Sequence, residues 1–136
     1  MQKVTTSGLA YLAVLLCLAG CGGAKMAPVA GRVTMDGKPL AETQVIFEPV
    51  EGLPEDTSTG ETDADGQYTL RRMDGRQGAL VGRHRVKLTT LKPDLASDER
   101  SPVPRDRVPS RYRDGSLTFD VPEDGTASAD FALESR

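Results

Sequence analysis

The chain has 136 residues, of which 38% are hydrophobic and 27% charged, with a formal net charge of −3 and two cysteines. That length suits one ordinary domain and is short for two. With 4% aromatic residues and no tryptophan, a nucleic-acid surface built on base stacking is not expected.

In chain order the first element is an apolar leader. Lys3 supplies a positive start, Gly8 to Gly20 is uncharged, and Leu18-Ala19-Gly20-Cys21 closes the run with small residues before a cysteine. Positions 8 to 23 give 16 residues without a charge, below the ~20 that a helix needs to cross a bilayer. A cleaved bacterial export signal is therefore expected over residues 1–20. The small-small-Cys ending resembles that of a lipoprotein signal, which implies that Cys21 is acylated and becomes the first mature residue. A plain signal peptide and a short anchor helix are the alternatives. One acyl chain binds reversibly, at ~0.8 kcal/mol per buried methylene, so stable anchoring takes several palmitate-type chains. Cys17 leaves with the leader and Cys21 carries lipid, so no disulfide is expected.

A linker over 21–27 precedes a run of short alternating segments over 28–136. Val29, Val33 and Met35 share one face, Arg32 and Thr34 the other, and Asp36-Gly37 reads as a tight hairpin turn. Val45 and Phe47 alternate with Gln44, Ile46 and Glu48 until Pro49 ends the strand. Residues 50–60 read as an acidic loop, Glu61-Thr62 as a short strand, and Asp63-Ala64-Asp65-Gly66 as a turn. Tyr68 and Leu70 then point inward, and Asp74 to Gly78 form a glycine-rich connection. The longest strand, about Val81 to Leu91, sets His84, Val86 and Leu88 on one face and Arg83, Arg85 and Lys87 on the other. Pro93, Pro102, Pro104 and Pro109 mark an irregular connection. Leu117, Phe119 and Val121, a turn at Glu123-Asp124-Gly125, and Phe131 with Leu133 complete the chain. The expected fold is all-β: an antiparallel Greek-key sandwich, with a small open barrel as the competitor.

Charge is uneven along this run. Residues 28–70 carry two basic and nine acidic side chains, 71–113 carry twelve and five, and 114–136 one and six. Such blocks either meet in the fold or form a solvated exterior; the functional alternative is a basic face, Arg83, Arg85 and Lys87, that docks on anionic glycans or headgroups. Asp63 and Asp65 have the oxygen donors calcium prefers but lack the rest of a calcium loop, so a turn is expected there, with a weak calcium site on Asp63 and Asp65 as the alternative. His84, the only histidine, reads as a core or rim residue rather than a catalyst. No strand-turn-helix nucleophile elbow raises any serine above the others.

Taken in order, Val29-Ala30-Gly31-Arg32-Val33-Thr34-Met35-Asp36-Gly37-Lys38-Pro39-Leu40, Val45-Ile46-Phe47-Glu48-Pro49, Thr62-Asp63-Ala64-Asp65-Gly66-Gln67-Tyr68-Thr69-Leu70 and Gly82-Arg83-His84-Arg85-Val86 resemble the carboxypeptidase regulatory-like, transthyretin-like domain. Val108-Pro109-Ser110-Arg111-Tyr112 and Asp130-Phe131-Ala132-Leu133 resemble the ending of its short lipoprotein version in planctomycete-type bacteria. The resemblance implies a prealbumin-like sandwich of about seven strands over 28–136. It also implies a non-catalytic binding or structural module, with no cofactor and no substrate. Tyr112-Arg113-Asp114-Gly115-Ser116 is an interrupted form of the terminal motif of the 5-hydroxyisourate hydrolases of the same superfamily, and is read as a turn. The expected protein is thus a lipoprotein held in a bacterial cell membrane through Cys21, facing periplasm or exterior. Its loops and basic face would meet an envelope protein or polysaccharide. A carbohydrate-binding module and a hydrolase are the alternatives.

Overall fold

A computed structural model describes residues 24–92, 102 and 104–136. The leader, Cys21 and Pro93 lie outside the described residues. The first strand, β1 (Met26–Ala27), is short; the alternation after it builds β2 (Ala30–Met35), in which Val33 is fully buried and Arg32 exposed. At Asp36 and Gly37 φ is 50° and 81°. Two successive positive-φ residues make the turn whose twist matches a hairpin, and Asp-Gly adopts it at low cost. The chain returns as β3 (Lys38–Pro39), with Met35 opposite Lys38.

β4 (Gln44–Pro49) buries Val45 and Phe47 and ends at Pro49 as expected. β5 (Ser58–Glu61) begins three residues before the expected strand, inside what reads as a loop. Its inward positions are Ser58, opposite Phe47, and Gly60, opposite Val45. A β-carbon on Gly60 would come 2.6 Å from the Thr69 carbonyl, so this strand needs small residues, and the same small residues give it a loop-like composition. β6 (Gln67–Thr69), β7 (Arg71–Arg72) and β8 (Ala79–Leu80) follow, then the long β9 (Gly82–Thr89), β10 (Leu117–Val121) and β11 (Phe131–Leu133).

The strands form a five-stranded sheet in the order β10-β9-β4-β5-β7, a second sheet centred on β2, and the small pair β1–β8. In the second sheet β3 and β6 pair antiparallel with β2, while β11 pairs parallel, Phe131 opposite Val33. The wholly antiparallel arrangement is corrected on this point. Parallel neighbours require a long crossover, and here the first sheet itself intervenes between β2 and β11. The seven or so strands expected are divided into eleven segments among the described residues, several of them two residues long. The protein is an all-β, multi-stranded sheet fold.

Both larger sheets contribute to one core. Phe47 of β4 lies 5.6 Å, centroid to centroid, from Phe119 of β10 and 6.1 Å from Phe131 of β11. Tilted and edge-on aromatic pairs at such separations contribute about 1 kcal/mol each beyond their burial. Val33, Tyr68, Leu70, Val86, Leu88, Val108 and Leu133 belong to the same cluster. The register also defines two ends. Pro49, Ser58, Arg72, Gly82 and Val121 stand together at one, where the Val81 amide donates to the carbonyl of Lys25. Gln44, Glu61 and Thr89 stand at the other. The chain enters the domain at the first.

Candidate functional site

The outward row of β9 forms as its alternation dictates. Arg83, Arg85 and Lys87 share the solvent side, and His84, Val86 and Leu88 are buried. The neighbours in the sheet decide what this row can do. Arg83 pairs with Asp120 of β10 at 3.2 Å and Lys87 with Glu48 of β4 at 2.9 Å. Arg85 sits across from Glu48 and Thr118 in register and makes no ion pair among the described residues. The face is therefore a mixed-charge surface with one uncommitted guanidinium. Exposed pairs of this kind contribute little to stability, ~0–1 kcal/mol.

The uneven charge along the chain finds its explanation here. β9, from the basic block, is held between β4 and β10, from the two acidic blocks. Lys92 reaches Glu61 at 2.8 Å, and Arg72 reaches Asp56 at 2.9 Å. The blocks meet in the fold.

Asp63 is committed to its turn. Its Oδ1 accepts the amides of Asp65 and Gln67, each at 2.9 Å, and its own amide donates to the Gln67 carbonyl. Asp65 is exposed beside it. Among the described residues no group of three or more His, Cys, Asp or Glu side chains is placed to hold a metal ion.

His84 is 1% exposed and packs on Phe47 at 5.6 Å. Its Nδ1 lies 3.0 Å from the carbonyl of Gly82, which can only accept, so Nδ1 carries the proton and Nε2 the lone pair. Nε2 has no partner among the described residues; Ser58 Oγ is the other such buried atom. Burial pushes the His84 pKa below its ordinary 6.5, against the Gly82 bond that raises it. Ser58 and His84 stand two strands and two residues apart across Phe47, roughly 12 Å between backbones by sheet spacing, and Ser58 Oγ and His84 Nε2 are not hydrogen-bonded to each other. They do not form a nucleophile and base.

The sugar-binding alternative needs exposed aromatic faces. Tyr68 is 3% exposed, and its hydroxyl donates to the Ala129 carbonyl at 2.6 Å. The Tyr112 ring is half-buried, with the Arg111 guanidinium 4.7 Å above its centroid. The segment that resembles a hydrolase motif is a turn: the Ser116 amide donates to Asp114 Oδ1 at 2.8 Å and the Ser116 hydroxyl to the Arg111 carbonyl at 3.0 Å.

Two polar constructions at the far end are not apparent from the sequence. Asp106, with a side chain 3% exposed, accepts from Thr89 Oγ1 (2.5 Å), Thr90 N (2.9 Å), Thr90 Oγ1 (2.8 Å) and Val108 N (3.0 Å). Burial pushes this carboxyl up, but the bonds from Thr89, Thr90 and Val108 outweigh it and hold the pKa below 3.8. Arg111 donates to the carbonyls of Glu134 and Arg136, the Glu134 amide donates to Tyr112 Oη at 3.2 Å, and the Ser135 amide donates to Asp36 Oδ1 at 3.0 Å. The only advance signal is the adjacency of Thr89-Thr90 and the order of polar residues around Val108-Pro109.

Compared with protein-family models, with curated proteins and with solved structures, the chain gives no match.

Proposed function

We propose that this protein is a bacterial envelope lipoprotein: a transthyretin-like, carboxypeptidase regulatory-like Greek-key β-sandwich that acts as a non-catalytic binding or structural module. Acylated Cys21 holds it in the membrane. The observation that carries this reading is the Leu18-Ala19-Gly20-Cys21 ending of an uncharged run, four residues before the domain is entered at Lys25. The all-β architecture with a shared core supports the sandwich. The commitment of Asp63 to a turn and of His84 to the core favours a module over a hydrolase.

The anchor is tested on the full chain expressed in a bacterial host. The mature protein carries the mass of acyl chains on Cys21 and partitions into detergent, and Cys21→Ser moves it to the aqueous phase with its fold intact. Unchanged fractionation of that variant sinks the lipoprotein reading. For the module, Arg85 is the residue to change. Because Arg83 and Lys87 are already paired with carboxylates, Arg85→Glu removes most of the salt-sensitive capture of an envelope protein or polysaccharide, and Arg83→Glu removes less.

A further inference from the structure

Three of the four exposed large hydrophobic side chains among the described residues gather at the end where the chain enters the domain. Val50 (45% exposed) and Leu53 (59%) lie on the loop from β4 to β5, and Met73 (78%) on the loop from β7 to β8. The two loops are fastened to each other. One oxygen of Asp56 accepts the amide of Leu53 at 3.0 Å, and the other takes the guanidinium of Arg72, next to Met73, at 2.9 Å. The Val50 amide donates to the carbonyl of Arg83, which fixes the start of the same loop to β9. Lys25 meets Val81 at this end, and Cys21 stands only four residues earlier in the sequence. Even fully extended, that stretch spans at most about 14 Å.

We infer that this end is a bilayer-contacting surface, in which Leu53 and Met73, with Val50 beside them, sit among the lipid headgroups when the domain is tethered. The inference rests on the lipoprotein reading, since the short tether brings these loops to the lipid. Scattered apolar side chains on a soluble surface need no explanation; three gathered where the anchor segment enters have an occupant at hand. Charge defines the kind of lipid contact. Exposed Arg76 and Arg83 at this end are paired with Asp74 and Asp120, and exposed Lys25 and Arg71 are outnumbered by exposed Glu51, Glu55, Glu123 and Asp124. The surface therefore has a net negative charge that disfavours anionic headgroups, and the contact is made by apolar side chains on a neutral interface. The domain then stands with its Asp36–Gly37 turn, its Asp63–Gly66 turn and the Glu134–Arg136 segment directed away from the membrane.

The test uses the full acylated protein in phosphatidylcholine vesicles, with a fluorophore on a single introduced thiol at Leu53→Cys, Met73→Cys or, at the opposite end, Leu91→Cys. A quencher carried on the lipid headgroup region extinguishes most of the signal at 53 and 73 and leaves the signal at 91 unchanged. Adding phosphatidylglycerol reduces the quenching at 53 and 73. Equal, weak quenching at all three sites, on protein that stays with the vesicles, overturns the inference and leaves the anchor standing. Protein that carries no acyl mass and does not float with the vesicles overturns the anchor reading and this inference with it.

Discussion

The entry end and the opposite end of the sheets are finished in contrasting ways. At the opposite end Asp106 accepts four hydrogen bonds, Asp63 two and Asp36 one, and the last residues are drawn in by Arg111 and Tyr112. At the entry end stand the two buried polar atoms without partners among the described residues, Ser58 Oγ and His84 Nε2, and the exposed Val50, Leu53 and Met73. Polar side chains that saturate one another rigidify the backbone they hold. Apolar side chains left in water hold nothing. Both ends are tied by polar side chains, Asp56 and Asp74 holding Leu53, Arg72 and Arg76 at the entry end, and the entry end differs in also leaving large apolar side chains in water.

The contrast is broken most forcefully at Asp106. Asp106→Ala leaves the Thr90 and Val108 amides and the Thr89 and Thr90 hydroxyls without their acceptor at a partly buried site, and each lost hydrogen bond of this kind costs about 0.5–1.5 kcal/mol. A loss of about 3–5 kcal/mol in urea unfolding is expected, and a loss below about 1 kcal/mol would show that the end is not held by this carboxylate. Acid acts in the same direction. The Asp106 pKa is depressed in the fold, so its contribution is present above 3.8 and is lost as pH falls through the lower, folded value. A smaller effect is expected for Arg111→Ala, which releases the Glu134 and Arg136 carbonyls at an exposed site. About 0.5–1 kcal/mol is lost, and hydrogen exchange at Glu134 and Ser135 accelerates while exchange in β9 does not.

Much of this architecture is legible in the amino-acid sequence, for reasons that are local. The alternation in β2, β4 and β9 sorts inward from outward residues one by one, and Asp36-Gly37 names its turn, because strand pleat and positive φ are properties of neighbouring residues. The start of β5 at Ser58 is hidden because its inward residues are small for a distant reason, the approach of the Thr69 backbone. The parallel pairing of β11 with β2 is hidden because nothing near Phe131 encodes which strand it meets. The ion pairs of the candidate face are half legible. The blocks of opposite charge are plain along the chain, but that Asp120 falls on Arg83 and Glu48 on Lys87 is a matter of register between strands far apart in sequence. Asp106 reads as one more charged residue between Arg105 and Arg107, and only the fold turns it into a buried acceptor.

At the entry end the weak point is His84. Its folded pKa is lowered, so the unfolded chain takes up the proton first as pH falls below 6.5. The contribution of the neutral ring is complete above that value and declines below it, toward the folded pKa. His84→Leu removes both the titration and the orphaned Nε2, and is expected to lie within about 1 kcal/mol of the parent at neutral pH. The melting temperature of the parent falls between pH 6.5 and the onset of carboxylate protonation, and that slope is absent in the variant. An unchanged slope would assign the pH response to other groups.

The smallest effect is the most telling one. Leu53→Ser and Met73→Ser remove apolar side chains that are 59% and 78% exposed, and neither residue supplies a side-chain bond to the fold. Substitutions of this kind change stability by no more than about 0.5 kcal/mol. Under the proposed lipid anchor, the same double change is expected to reduce contact of the domain with neutral lipid, where the side chains have something to bury against. Stability that does not move while lipid contact falls separates a surface made for a partner from one made for the fold. A clear loss of stability in solution would instead mean that Leu53 and Met73 pack onto the domain, and the two ends would then differ only in chemistry and not in purpose.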